Sequence, residues 1–204
     1  MSKICCFTGH REIKNISPMV LQERLERTIV DLIENEGVTD FRAGGAKGFD
    51  SMAALCVLTL KEKYPHIKLH LVLPHKRQAV RFKRIEKAVY KHTLAHADSV
   101  FYVSERYYDG VMFERNRKLV DGADVCVAFM NKLSGGTYYT VTYARKQKVE
   151  VRNLMKAYNL YRESPKHSLG GLVLLGVENG AILDILRPLY CWEELHCRRR
   201  TTDL

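Results

Sequence analysis

The chain has 204 residues, 46% of them hydrophobic, and a formal charge of +10, which is enough apolar material for one good core and a length that favours one or two domains. No stretch approaches the ~18 uncharged apolar residues of a membrane-spanning helix, and Met1-Ser2-Lys3-Ile4 runs straight into a strand pattern rather than a leader, so a cytoplasmic protein with no membrane partner is expected. The positive charge points to anionic partners without choosing among nucleotides, nucleic acid and membrane surfaces.

Lys3 to Thr8 reads as a buried strand. Ser17-Pro18 then opens a helix, serine at the N-cap and proline in the first turn, whose apolar residues Leu21, Leu25, Ile29, Leu32 and Ile33 keep a period near 3.6 until Gly37. A second strand is expected over Thr39 to Ala43. A helix over Phe49 to Lys63 follows, so rich in Met, Ala, Leu, Cys and Val that it must be largely buried, and Pro65 ends it. Ile67, Leu69, Leu71 and Leu73 alternate as a third strand. Ala79 to His96 reads as one basic helix carrying Phe82, Ile85 and Val89, and Ser99 to Val103 as a fourth strand. Lys76, Arg77, Arg81, Lys83, Arg84, Lys87 and Lys91 are taken as a solvated face rather than a nucleic-acid footprint, because no aromatic residues interleave with them. A helix after Gly110, a strand at Val125 to Phe129, a helix over Tyr138 to Lys148 and a strand over Val149 to Met155 complete the series.

Strand and helix alternating in this way predict a Rossmann-like, doubly wound α/β domain over 1–155, with a mainly parallel sheet and helices on both faces. From Lys156 the rhythm stops, and 156–204 is set apart as an extension of undetermined structure. It contains the apolar Leu169 to Gly176, a hairpin-like Glu178-Asn179-Gly180, Ile182 to Leu186, and a closing Arg198-Arg199-Arg200. Cys191, His196 and Cys197 fit no zinc spacing, so no metal is expected. Cys5, Cys6, Cys56 and Cys126 sit within apolar patterns and are read as reduced, small hydrophobes.

The chemistry is concentrated where strands give way to helices. Gly44, Gly45, Ala46, Gly48 and Asp50 follow the second strand; Ser134, Gly135, Gly136 and Thr137 follow the fifth. Glycine there lets amides approach a ligand, and a helix starting at such a turn aims unpaired N–H groups and the positive end of its dipole at an anion. Thr8, Gly9, His10 and Arg11 after the first strand, with Glu114, Arg115 and Asn116 on the fourth helix, are expected to line the same crevice beyond the carboxyl ends of the strands. Arg115 is read as a bidentate phosphate clamp rather than a core residue, with Asp121 or Asp124 as its alternative surface partners. Asp50 is read as a ribose contact or a helix N-terminal charge. Tyr107, Tyr108, Tyr138 and Tyr139 are candidates to stack on a base or to pack.

The set FTGHR at Phe7 to Arg11, GGAKGFD at Gly44 to Asp50, ERNRKLVDGAD at Glu114 to Asp124 and SGGT at Ser134 to Thr137 resembles the SLOG superfamily, named for Smf/DprA and LOG proteins, and most closely its bacterial YpsA-like group. The resemblance covers residues 3 to about 155. It implies a fold that binds nucleotides or nucleotide-derived ligands, and for the YpsA-like group a sensor or regulatory role directed at NAD-related or ADP-ribose-type molecules. LOG-type phosphoribohydrolases carry PGGxGTxxE, whose glutamate acts in glycosidic cleavage. Here Tyr138 to Tyr143 follow SGGT without a carboxylate, so binding is preferred to turnover and no cofactor is required. A nucleoside-monophosphate glycosidase that uses another acid, such as Asp50 or Glu114, is one alternative. A single-stranded nucleic-acid binder is the other. The expected partner is a nucleotide-type small molecule, with nucleic acid less favoured and a homodimer compatible with the reading.

Overall fold

The computed structural model describes residues 2–155, so the calls made on 156–204 lie outside the described residues. Six strands are present: β1 (Lys3–Gly9), β2 (Val38–Ala43), β3 (Lys68–His75), β4 (Ser99–Ser104), β5 (Val125–Phe129) and β6 (Glu150–Asn153). They alternate with α1 (Pro18–Glu34), α2 (Phe49–Leu60), α3 (Arg84–His96), α4 (Val111–Val120) and α5 (Gly135–Lys146). The sheet order is β4-β3-β2-β1-β5-β6, and every neighbouring pair is parallel. The Rossmann-like expectation holds.

Period-two alternation divides the sheet into two faces. Cys5, Phe7, Phe41, Leu69, Leu71 and Leu73 point to one side and form the main core with α1 and α2. Phe7 and Phe41, on neighbouring strands, stack with centroids 6.0 Å apart. The other face joins Cys6, Val72 and Cys126 to Leu119 and Val120 of α4 and Ala144 of α5. The N-terminal part of α2 is buried nearly all round, from Phe49 to Val57 apart from Ser51, as its composition demands. The cysteines at 5, 6, 56 and 126 are buried and free, and among the described residues no helix is long and apolar enough to cross a membrane.

The basic helix departs from its expected form. A 3-10 turn covers Gln78–Arg81, the chain extends at Phe82, and α3 begins only after Lys83, whose N–H donates to the Glu86 carboxylate at 2.7 Å. Phe82 packs edge-on against Tyr90 at 5.8 Å, and this inward anchor interrupts the helix that periodicity had drawn through it. At α5 the shift is the opposite one. The helix starts at Gly135, three residues before the expected Tyr138, with Ser134 as an extended N-cap.

After β1 the chain builds outward through β2, β3 and β4, then returns to lay β5 on the other side of β1. The connections leaving β1 and β5 therefore diverge, and the crevice between them lies at the carboxyl ends of Gly9 and Phe129, which are register partners.

Candidate functional site

A cavity of about 450 Å³ opens at that switch point, a volume suited to a small organic ligand. From β1 and its loop come Thr8, Gly9, His10, Arg11, Glu12 and Lys14; from the turn and helix after β2, Ala46 and Asp50. Met112, Arg115 and Asn116 descend from α4, Asn131 and Lys132 follow β5, and Gly136 and Thr137 open α5. All four segments singled out in the sequence thus converge. Four cationic side chains, Arg11, Lys14, Lys132 and Arg115, face two carboxylates, Glu12 and Asp50. Lys14 and Glu12 pair at 2.7 Å in the open, where such a pair contributes little.

Arg115 is the centre of the arrangement, and the structure corrects its expected setting. The residue is only 7% exposed, and its partner is neither Asp121 nor Asp124 but Asp50, itself 4% exposed, with Nη1 donating to Oδ2 at 3.3 Å. Among the described residues Asp50 is otherwise held only by the Ala46 N–H at 3.5 Å. Burial outweighs the attraction between the partners: it pushes the Asp50 carboxyl above its ordinary range and draws the Arg115 guanidinium below its own. The Nε of Arg115 is buried with no acceptor, and so is the Oδ1 of Asn131, which lines the same cavity and lacks a donor. Asp121 accepts from Tyr143 at 2.8 Å, and Asp124 from the Ile4 N–H at 2.8 Å.

The glycines serve geometry more than contact. A Cβ on Gly44 would lie 1.4 Å from Arg115 Nη1, so its bare backbone makes room for the ion pair. At Gly48, with φ +80°, a Cβ would meet the Arg11 carbonyl oxygen at 2.5 Å, so the absent side chain brings the β1 loop onto the start of α2. Gly44, Gly45 and Gly48 therefore shape the cavity from behind, whereas Ala46 reaches its surface. In the second turn Gly136 and Thr137 line it and Ser134 and Gly135 stand outside. The opening N–H groups of α5 have no intrahelical acceptor and lie beside the cavity.

His10 is tied down on three sides. Its N–H donates to the Phe129 carbonyl at 3.3 Å, its carbonyl accepts from the Phe49 N–H at 3.2 Å, and its Nε2 accepts from the Asn131 N–H at 3.1 Å. In the neutral ring that last bond leaves the proton on Nδ1. Burial, and secondarily Lys132, lower the His10 pKa and favour this neutral form.

Glu114 does not reach the cavity; its carboxylate accepts from the Tyr108 hydroxyl. None of the four candidate stacking tyrosines lines it either. Tyr139 packs against Phe113 with centroids 4.7 Å apart and accepts from Arg117 at 2.9 Å. Asn116, expected beside Arg115, lines the cavity, whereas sequence reasoning did not select Glu12, Lys14, Met112, Asn131 and Lys132. Asn131 and Lys132 lie just past the end of β5, a position that marks ligand contact in open α/β sheets.

A parallel sheet of this order, with a charged cleft at its switch point, defines a Rossmann-like α/β protein. The chain belongs to the YspA SLOG family, whose model matches residues 5–161, in agreement with the resemblance carried by its four motifs. A SPbeta prophage-derived protein, YoqJ, of Bacillus subtilis is 32% identical over 146 residues, which is 66% of this chain and 85% of the relative. A UPF0398 protein of Halalkalibacterium halodurans is 31% identical over 130 residues, 62% of this chain and 68% of the relative. Among solved structures, DNA processing protein A of Streptococcus pneumoniae superposes with a TM-score of 0.56 at 18% identity, covering 91% of this chain and 56% of that one. The Helicobacter pylori protein, described for its single-stranded DNA binding mode, gives 0.53 at 18% identity, covering 73% and 63%. This chain thus spans less than two thirds of either structure, and at that identity the likeness is one of fold.

Proposed function

We propose that the switch-point cleft binds a small anionic ligand of nucleotide type, and that the protein acts as a sensor or regulator rather than as a glycosidase. The observation that carries this reading is Arg115: a buried guanidinium with an unpartnered Nε, lining a cavity beside the opening of α5. A phosphate oxygen there would satisfy the orphan donor and meet the α5 amides, while Asn131 Oδ1 would accept from a ligand hydroxyl. Arg11 and Lys132 add positive charge at the mouth.

The test is a panel of NAD, ADP-ribose and nucleoside monophosphates in thermal unfolding and calorimetric titration. A ligand that binds only the folded state raises the midpoint by mass action. A panel that leaves the midpoint unchanged at millimolar concentration would sink the proposal. The same reactions, followed by chromatography, should release no free base, because SGGT is followed by no carboxylate and Glu114 is turned to Tyr108. Rapid base release would favour the enzyme and direct attention to Asp50.

Gly136 separates site from scaffold. A Cβ there meets only Asn116 Nδ2, at an ordinary 3.7 Å. Gly136→Val should keep the unliganded stability within about 1 kcal/mol of wild type and lose the ligand-induced shift. A retained shift would place the anion away from α5.

The second reading is single-stranded nucleic acid, favoured by the fold shared with a DNA processing protein described as binding it. Arg77, Arg81, Lys83, Arg84, Lys87 and Lys91 are all exposed. Its signature would be oligonucleotide binding that weakens steeply with salt and is not displaced by mononucleotides.

A further inference from the structure

A second cavity, of about 430 Å³, lies on the sheet face that α4 and α5 cover, toward the β4 edge. Only two of the described helices pack on that face, and the start of β4 stays open, with Phe101 52% exposed and Ser99 exposed beside it. Three side chains from three adjacent strands meet there. His70 on β3 is the register partner of Ser99 on β4 and of Arg42 on β2, and Asp40 lies two residues before Arg42 on the same face. The Ser99 Oγ stands 2.7 Å from His70 Nδ1, and His70 Nε2 stands 2.7 Å from Asp40 Oδ1. The other Asp40 oxygen accepts from Thr39 at 2.6 Å.

The geometry points to an activated serine: Ser99 as nucleophile, His70 as its general base and Asp40 as the group that orients the histidine, in a site for short-chain acyl esters separate from the switch-point cleft. The roles follow from the hydrogen bonds. Asp40, kept ionised, can only accept, so Nε2 carries the ring proton and Nδ1 is left as the acceptor for the Ser99 hydroxyl. Burial works against the Asp40 charge, but the bonds from Thr39 and His70 prevail and hold its pKa below the ordinary value. Ile4, Val72 and Phe101 give the cavity an apolar wall for an acyl chain, and Lys118 and Arg42, which also line it, add positive charge. Arg42 is itself fixed through Nη1 to the Asp121 carbonyl at 2.6 Å.

The reaction balances without a further reagent. Ser99 Oγ forms a bond to the acyl carbon while its proton passes to His70 Nδ1. The ester C–O bond then breaks, the departing alkoxide takes that proton, and water attacks the acyl-serine by the same route in reverse.

A fluorophosphonate probe tests the nucleophile directly, because Oγ–P bond formation expels fluoride and leaves a mass-mapped adduct. With the full chain, the adduct should map to Ser99, disappear in Ser99→Ala, and form about 100-fold more slowly in His70→Gln and more slowly in Asp40→Asn, all with cooperative melting as the folding control. p-Nitrophenyl acetate should give a burst of one nitrophenolate per chain. No adduct above that of heat-denatured wild type, or equal labelling rates in wild type and both folded variants, would overturn the assignment and leave the three side chains as a polar bridge across an uncovered sheet face.

Discussion

Arg115→Ala should lower stability by about 3 kcal/mol at pH 8 and weaken ligand binding as well. Removing one partner of a buried pair typically costs about 3–5 kcal/mol because the other charge is stranded, and Asp50, 4% exposed, would keep only a 3.5 Å contact to the Ala46 N–H. The loss falls toward the lower figure because Asp50 can escape by taking up a proton. Its folded pKa is already raised, by burial. A raised carboxyl contributes its stability fully below the unfolded value near 4 and loses it as pH rises through the folded value. In the variant the cation that opposed the rise is gone, so the destabilisation should shrink as pH falls from 8 toward 4. Asp50→Asn in the same background should recover part of it. Denaturant unfolding of the three proteins at two pH values measures this, and an Arg115→Ala protein as stable as wild type at pH 8 would show that the pair has no structural role. Binding is a separate readout. Loss of a charge-assisted contact should cost about 1.5–3 kcal/mol, and Arg115→Lys should recover only part, since a point charge cannot replace the planar fork. Calorimetric affinities equal in all three would remove Arg115 from the ligand site.

The buried pairing of Arg115 with Asp50 marks the boundary of what the sequence makes legible. Strand identity was readable because apolar runs such as Val125 to Phe129 are buried at every position, and that strand was drawn with its true limits. The convergence of the loop at Thr8 to Arg11, the two glycine turns and α4 followed from strand–helix alternation alone. The pairing of Arg115 with Asp50 did not, since 65 residues separate them and no periodicity links a helix on one face of a sheet to a helix start on the other. Glu114 illustrates the same limit. It neighbours Arg115 in sequence, but adjacent positions on a helix point about 100° apart, so one reaches the cleft and the other turns to Tyr108. The break at Phe82 was missed for a related reason: a large apolar residue satisfies helical spacing whether the backbone around it is helical or extended. His70 and Ser99 were invisible as a pair until register was known, because each is an ordinary polar residue on a separate strand, 29 positions apart in the chain.

Gly44→Ala should be clearly destabilising, and its cost should depend on Arg115. The new Cβ would sit 1.4 Å from Arg115 Nη1, 2.6 Å from its Cζ and 2.7 Å from Asp50 Oδ2, separations that real atoms do not adopt. Both obstructing groups are side chains, but they are buried, and displacing them breaks the ion pair. Overpacking of this kind costs about 1–3 kcal/mol, to which part of the loss predicted for the broken pair is added. If the glycine is required only to admit the guanidinium, then in an Arg115→Ala background the same substitution should become milder by more than about 1 kcal/mol. Such coupling is expected of residues in direct contact. The remaining conflict with Asp50 can be relieved once the carboxylate is no longer held toward its partner. A double-mutant cycle in urea, comparing Gly44→Ala, Arg115→Ala and the pair, measures the coupling. Strict additivity would mean that Gly44 is needed for the backbone of the β2–α2 turn itself, and that the space beside it is not reserved for Arg115.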